Sequence, residues 1–167
     1  MTTSRPRGPK SQEVRLNLTS LLRPDRINLD LKAKKKPEAL RELVSLVRQG
    51  DDADMLLQTL LKREELGSTG IGKGIAIPHG RSLLIDKLEM AVGRSTKGVE
   101  FDSIDKKPAN LFFLIMAPPQ DPGNQYLITL GRVAMVCQEL TKKKRIFDPQ
   151  SPEEFIEQVR TLEEKIR

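Results

Sequence analysis

The sequence predicts an α/β fold in a single domain. Stretches with helix-period apolar stripes alternate along the chain with short extended apolar runs, the interleaving expected of helices packed on a sheet. The run Leu111 to Ala117 is apolar throughout, which suits a strand buried on both faces. A chain of 167 residues is one domain long. It is large enough to bury roughly 70% of its unfolded surface. With no tryptophan and few aromatic residues, the core is expected to rest on Leu, Ile and Val.

Residues 1–16 are rich in Ser, Arg, Pro and Gly and nearly free of apolar side chains, so they read as a flexible basic tail ahead of a domain at 17–167. Thr19 to Leu22 forms one helical turn before Pro24. Ile27 to Leu31 alternates apolar and polar, the pattern of a half-buried strand. Pro37 opens a helix where its missing N–H does no harm, with Ala39, Leu40, Leu43, Val44 and Val47 as its stripe and Gly50 as its stop. Asp51 or Asp52 then caps a second helix ending near Leu66, with Gly67 just beyond. Ile75 to Ile77, Leu88 to Val92 and Gly98 to Phe101 read as short extended pieces. A helix over about Gly123 to Leu140 places Leu127, Leu130, Ala134 and Cys137 on one face. In the last helix Ser151 is the cap, Pro152 the first residue and Glu154 the returning arm of a capping box, with Phe155, Val159 and Leu162 as its stripe.

Net charge is +6, and half of it is in the tail, where Arg5, Arg7, Lys10 and Arg15 outweigh Glu13 by three. Further clusters are Lys32 with Lys34 to Lys36, and Lys142 to Arg145. Aromatic residues do not interleave with these charges as single-strand binders require, so a solvated surface is the expectation and nucleic acid is not. Cys137 is the only cysteine, which rules out a disulfide framework and a cysteine metal cluster and fits a reducing cytoplasm. The longest apolar run is too short to span a bilayer, and no apolar stretch follows the basic N-terminus as in a secretory signal.

The chemistry concentrates at residues 67–80, GSTGIGKGIAIPHG, which hold the only histidine, His79. A neutral imidazole is a nucleophile at pH 7. Glycines and hydroxyls just upstream make an oxyanion, above all a phosphoryl group, its natural partner. The segment narrowly misses the nucleotide-binding loop: Gly74 stands where a Ser or Thr would hold Mg²⁺, and a helix precedes the loop where a strand should. The GxGxxG spacing also fails. One histidine without cysteine partners is poor ground for a metal, and no GxSxG elbow supports a hydrolase. No metal or cofactor is expected. Pro78 and Gly80 are read as holding the ring on a stiff, open turn.

Residues 63–72, REELGSTGIG, followed by GIAIPHG, resemble the phosphorylation-site signature of the fructose/mannitol-type enzyme IIA domain of the bacterial sugar phosphotransferase system. The resemblance runs from about Leu18 to Leu162 and includes Phe101 to Asp105 ahead of the long apolar strand. With no fused transporter or HPr-like segment in the chain, it is closer to the stand-alone nitrogen-regulatory members than to a sugar-specific subunit. The resemblance implies a mixed central sheet with helices on both faces. It implies that His79 accepts a phosphoryl group from phosphorylated HPr, or its nitrogen-branch relative, and holds it on Nε2. Arg63, Ser68 and Thr69 are then candidates to stabilise the phosphoryl oxygens, and Lys73 and Arg81 to contact the donor. For Arg63 a surface salt bridge is the alternative, and for Ser68 and Thr69 simple turn chemistry. The family usually carries a second histidine early in the helix after the apolar strand, and here Tyr126 occupies the matching position. A phenol hydrogen-bonds an imidazole or a phosphoryl oxygen but does not share protons near pH 7. The leading expectation is a regulatory phosphocarrier in the cytoplasm whose target is a transporter subunit or another regulated protein. The alternatives are a binding module whose unmodified surface does the work, and nucleic-acid attachment through the tail.

Overall fold

The computed structural model describes residues 17–142 and 148–166. The basic tail and Lys143, Lys144 and Arg145 lie outside the described residues. In chain order the elements are α1 (Leu18–Leu21), a 3-10 turn (Pro24–Arg26), β1 (Ile27–Asn28), α2 (Lys36–Ser45), α3 (Gly50–Glu65), β2 (Gly70–Gly72), β3 (Ile75–Ala76), β4 (His79–Arg81), β5 (Glu89–Val99), β6 (Ala109–Ala117), α4 (Gln125–Lys142) and α5 (Pro152–Ile166). The sheet is mixed, in the order β1-β5-β6-β3-β2, with β4 also paired to β6. β5 and β6 are antiparallel, while β3 and β4 run parallel to β6.

β6 organises the core. Its side chains alternate between faces, as any strand's must. Phe112, Leu114 and Met116 pack on one face with Leu40, Leu43, Leu56 and Leu60 of α2 and α3. Leu111, Phe113, Ile115 and Ala117 pack on the other with Leu18 of α1, Val133 and Val136 of α4, and Phe155 and Val159 of α5. The result is three layers, helix–sheet–helix. The core is more aromatic than composition suggests, since Phe101, Phe112, Phe113 and Phe155 are all fully buried. Truncating any of these to alanine costs about 3–5 kcal/mol.

Several local expectations need correction. α2 stops at Ser45, well before Gly50, which instead opens α3. Asp51 and Asp52 do not cap α3; they lie inside its first turn, where their charge still favours the free amides. The alternating Ile27–Leu31 segment is a strand only at Ile27 and Asn28. The pieces at 88–92 and 98–101 belong largely to one long strand, β5, interrupted by a bulge: Arg94 pairs with Leu111 but Val99 with Ala109. Gly98, at φ +88°, supplies the left-handed residue that the bulge needs. α4 buries Tyr126, Thr129, Val133, Val136 and Cys137, and Leu127 faces solvent. The α5 cap is present with one difference. Ser151 Oγ accepts from the Glu154 amide at 3.1 Å, but the Glu154 carboxylate reaches the Gln150 amide, at 3.0 Å.

The glycine-rich run is a hairpin. β2 and β3 pair antiparallel, and Gly72, Lys73 and Gly74 all take positive φ at the turn. Three left-handed residues in succession are why glycines cluster here. The Asp105 carboxylate accepts from the Lys73 amide at 2.9 Å and from the Lys107 amide at 3.1 Å, and these two bonds hold its pKa below the usual carboxylate value. Among the described residues no helix is long and apolar enough to cross a membrane.

Candidate functional site

His79 sits on a strand, not on a turn. Ile75 and Ala76 pair with Leu111 and Phe112, and His79, Gly80 and Arg81 pair with Ile115, Met116 and Ala117 in the same register. β3 and β4 are therefore one line along β6, broken at Ile77 and Pro78. Pro78 has no N–H to give the ladder, but its carbonyl accepts from the Ile115 amide at 3.0 Å. The Ile77 N–H turns away and donates to the Thr69 carbonyl, also at 3.0 Å. Gly80 serves packing on the opposite face, where a β-carbon would lie 3.4 Å from Thr59 and 3.6 Å from Leu60 of α3.

The His79 ring is half-buried on the face covered by α4. Its Nδ1 lies 2.7 Å from the Ile77 carbonyl. A carbonyl only accepts, so the neutral ring carries its proton on Nδ1 and leaves the Nε2 lone pair free. Burial lowers the imidazole pKa, and the Arg63 charge adds to this; the Ile77 hydrogen bond and the Glu64 carboxylate oppose it. The net shift is downward, so the ring is neutral at pH 7.

Tyr126, on the first turn of α4, meets His79 edge-on with ring centroids 5.9 Å apart. The Arg81 guanidinium lies over that phenol, 4.5 Å from its centroid, and also donates to the Pro118 carbonyl at 3.0 Å. Tyr126 is buried, which raises its pKa, although Arg81 and Arg63 pull it down. Its hydroxyl makes no hydrogen bond within the described residues. The α4 N-terminus is already engaged: the Asp121 carboxylate accepts from the Gln125 amide at 3.0 Å and the Tyr126 amide at 2.8 Å.

Arg63 closes the end of α3 by donating to the Gly67 carbonyl at 2.9 Å, and its charge reaches both His79 and Tyr126. Ser68 and Thr69 have committed their hydroxyl protons: Ser68 Oγ donates to the Phe101 carbonyl at 2.9 Å, and Thr69 Oγ1 donates to Glu64. Lys73 is set apart at the hairpin tip. The start of β3 is four residues up β6 from His79, about 13 Å away at strand rise, and Lys73 lies beyond it. Thus His79, Tyr126, Arg81 and Arg63 form one group, with Ser68 and Thr69 in its supporting turn.

Four contributors were missed in the sequence: Ile77 through its carbonyl, Asp121, Glu64 and Lys36. An acidic residue just ahead of a helix start is a readable signal for Asp121. Lys36 meets Glu64 only across 28 positions and leaves no local mark, while the Ile77 carbonyl, two residues from His79, and Glu64, five from Thr69, act through local backbone geometry that residue types do not spell out.

Comparisons with known proteins give the family of the chain. Residues 20–161 match the family model for the phosphoenolpyruvate-dependent sugar phosphotransferase system, EIIA 2. A nitrogen regulatory protein of Bradyrhizobium diazoefficiens is 35% identical over 132 residues, covering 77% of this chain and 86% of that protein. The fructose-specific EIIABC component of Bacillus subtilis is 31% identical over 145 residues, but the chain spans only 23% of that protein's length. The crystal structure of nitrogen regulatory protein IIA-Ntr from Neisseria meningitidis superposes with a TM-score of 0.71 at 26% identity, covering 85% of this chain and 98% of that one. With the family model matched over residues 20–161, most of its length, the chain belongs to the EIIA 2 family of the phosphoenolpyruvate-dependent sugar phosphotransferase system.

Proposed function

We propose that His79 Nε2 accepts a phosphoryl group from the phosphohistidine of an HPr-like protein and holds it for a regulatory output. A phosphocarrier role with regulatory output accords with the family and with the nitrogen regulatory relatives. The observation that carries the assignment of the atom is the Nδ1–Ile77 contact of 2.7 Å, which leaves Nε2 as the nucleophile. In the transfer, the Nε2 lone pair forms the new N–P bond as the donor's N–P bond breaks, and that electron pair returns to the donor imidazole. No proton has to leave His79 first. The ring becomes cationic, and the Ile77 carbonyl facing Nδ1–H stabilises it. The Arg63 guanidinium supplies a fork of donors for the phosphoryl oxygens, and the Tyr126 hydroxyl, with no protein partner to lose, supplies one more. Arg81 holds the phenol in place and presents positive charge to an incoming donor.

The added group brings about two negative charges to a site flanked by two arginines, enough to make or break a contact with a partner. The downstream partner is a transporter subunit or a regulated protein, and the setting is the cytoplasm. The test is exposure to phosphorylated HPr-like donor. Acid-labile phosphate is expected on the wild type and none on His79→Ala. An unlabelled wild type under conditions that label another EIIA domain would overturn the assignment and leave a binding module acting through its unmodified surface.

A further inference from the structure

We propose that Glu64 is the positioning residue of the acceptor site, its buried carboxylate setting the His79 ring through an unbroken run of hydrogen bonds. This rests on the reading of His79 as the acceptor. The Glu64 side chain is only 5% exposed. Oε2 accepts from the Thr69 amide at 3.0 Å and from Lys36 Nζ at 2.9 Å, and Oε1 accepts from Thr69 Oγ1. Thr69, also buried, passes the constraint on: its carbonyl takes the Ile77 N–H at 3.0 Å, and the Ile77 carbonyl takes His79 Nδ1–H at 2.7 Å. The path is carboxylate, Thr69, Ile77, imidazole.

The same carboxylate fixes the cationic side of the site. Arg63 precedes Glu64 on α3 and is tied to the Gly67 carbonyl, inside the turn that Thr69 ends. Lys36 makes the cluster rigid from behind, stacked 4.7 Å over the Phe101 ring and 3.3 Å from Ser68 Oγ. Ser68 in turn donates to the Phe101 carbonyl and accepts from the Gly70 amide at 3.1 Å. Stability alone does not account for such a group, because a buried ion pair is often no better than apolar residues of the same volume. What apolar replacements cannot do is fix the Thr69 amide and hydroxyl in one geometry. Phosphoryl transfer depends on that geometry, since a displacement near 1 Å costs about 100-fold in rate.

The charged and titratable groups facing His79 are Arg63 and Glu64 from α3, Arg81 from β4 and Tyr126 from α4. Glu64 contributes the only negative field among them. Because His79 is the sole histidine, its ring nitrogens can be followed without ambiguity by nuclear magnetic resonance.

The experiment compares wild type, Glu64→Gln and the double variant Glu64→Gln with Lys36→Met, which removes both charges and guards against misfolding from an unpaired ammonium. Three readouts are taken on each: the His79 titration midpoint and tautomer, exchange of the Ile77 amide, and phosphoryl acceptance. Both variants are expected to lower the midpoint, accelerate Ile77 exchange, and reduce the maximal acceptance rate about 10- to 100-fold with the half-saturating donor concentration unchanged. A double variant that folds and keeps the wild-type tautomer, midpoint, exchange and rate would overturn the proposal. An unlabelled wild type would instead refute the acceptor reading, while the titration and exchange readouts still decide the role of Glu64.

Discussion

Replacing Tyr126 by phenylalanine separates what the ring does from what the hydroxyl does. The ring is buried, contacts His79 edge-on at 5.9 Å and carries Arg81 at 4.5 Å. Phenylalanine keeps all of this. The hydroxyl has no hydrogen bond within the described residues, so its loss strands no partner. Stability of Tyr126→Phe should therefore stay within about 0.5 kcal/mol of wild type. Tyr126→Ala empties the site and should lose about 3–5 kcal/mol, of which the aromatic pair and the cation–π contact are each about 1. Phosphorylation inverts the ranking of concerns. A phenol hydrogen-bonded to a phosphoryl oxygen is worth about 1.5–3 kcal/mol, and its loss should weaken phosphoryl retention against the donor about 10- to 100-fold. Urea unfolding gives the first pair of numbers, and the equilibrium level of acid-labile phosphate at fixed donor gives the second. A Tyr126→Phe protein that retains phosphate like wild type would refute the contact. One that unfolds as readily as Tyr126→Ala would refute the description of the ring as the stabilising part.

Other expectations follow from the same geometry. Burial lowers the His79 pKa, so the unfolded chain binds more protons than the native one below about pH 6.5. The stability contributed by the neutral ring is therefore complete above that pH and lost as pH falls through the folded value; His79→Gln should flatten this part of a pH series of melting curves, and an unchanged slope would argue against it. Phosphoryl acceptance should for the same reason hold level as pH falls from 8 towards 6.5. Gly70→Ala places a β-carbon 2.3 Å from Ser103 Oγ and 2.9 Å from Ser103 Cα, a backbone atom that does not give way. It should cost about 1–3 kcal/mol in urea unfolding, and a neutral result would contradict the close approach of β2 to the 101–105 loop. Glu163, only 3% exposed, accepts from the Leu18 and Thr19 amides and from Arg132. Glu163→Ala leaves those donors behind and should cost about 3–5 kcal/mol, whereas a loss under 1 would mean that water serves them equally well.

The parts of this molecule legible in the sequence are those encoded locally. The α5 start needs only Ser151, Pro152 and Glu154, and the end of α3 needs only Gly67. β6 announces itself because burial on both faces leaves no polar position from Leu111 to Ala117. On α4, Leu130 and Cys137 pack on the core as the spacing predicts but Leu127 does not, because apolar residues surround much of that helix. Leu127, Ile128 and Met135 are all exposed, so their spacing gives no phase. The glycine run was legible as special but not as a hairpin, since positive φ serves an anion cradle and a tight turn alike. His79, Tyr126 and Arg81 were found by type and motif, and the structure adds their juxtaposition. Glu64 lay beyond reach because nothing near it in sequence shows that Lys36, 28 positions earlier, meets it in a buried pair.

β4 leaves one further consequence. Among the described residues it pairs with β6 alone, so its outer edge, next to the imidazole, has no neighbouring strand. An uncovered edge invites other chains to add to it. Here the invitation is withdrawn by brevity and chemistry: three residues, a proline before them and a cation at their end. Under the proposed reading of His79, the acceptor nitrogen can thus stay open to a visiting protein without turning the molecule into a template for aggregation.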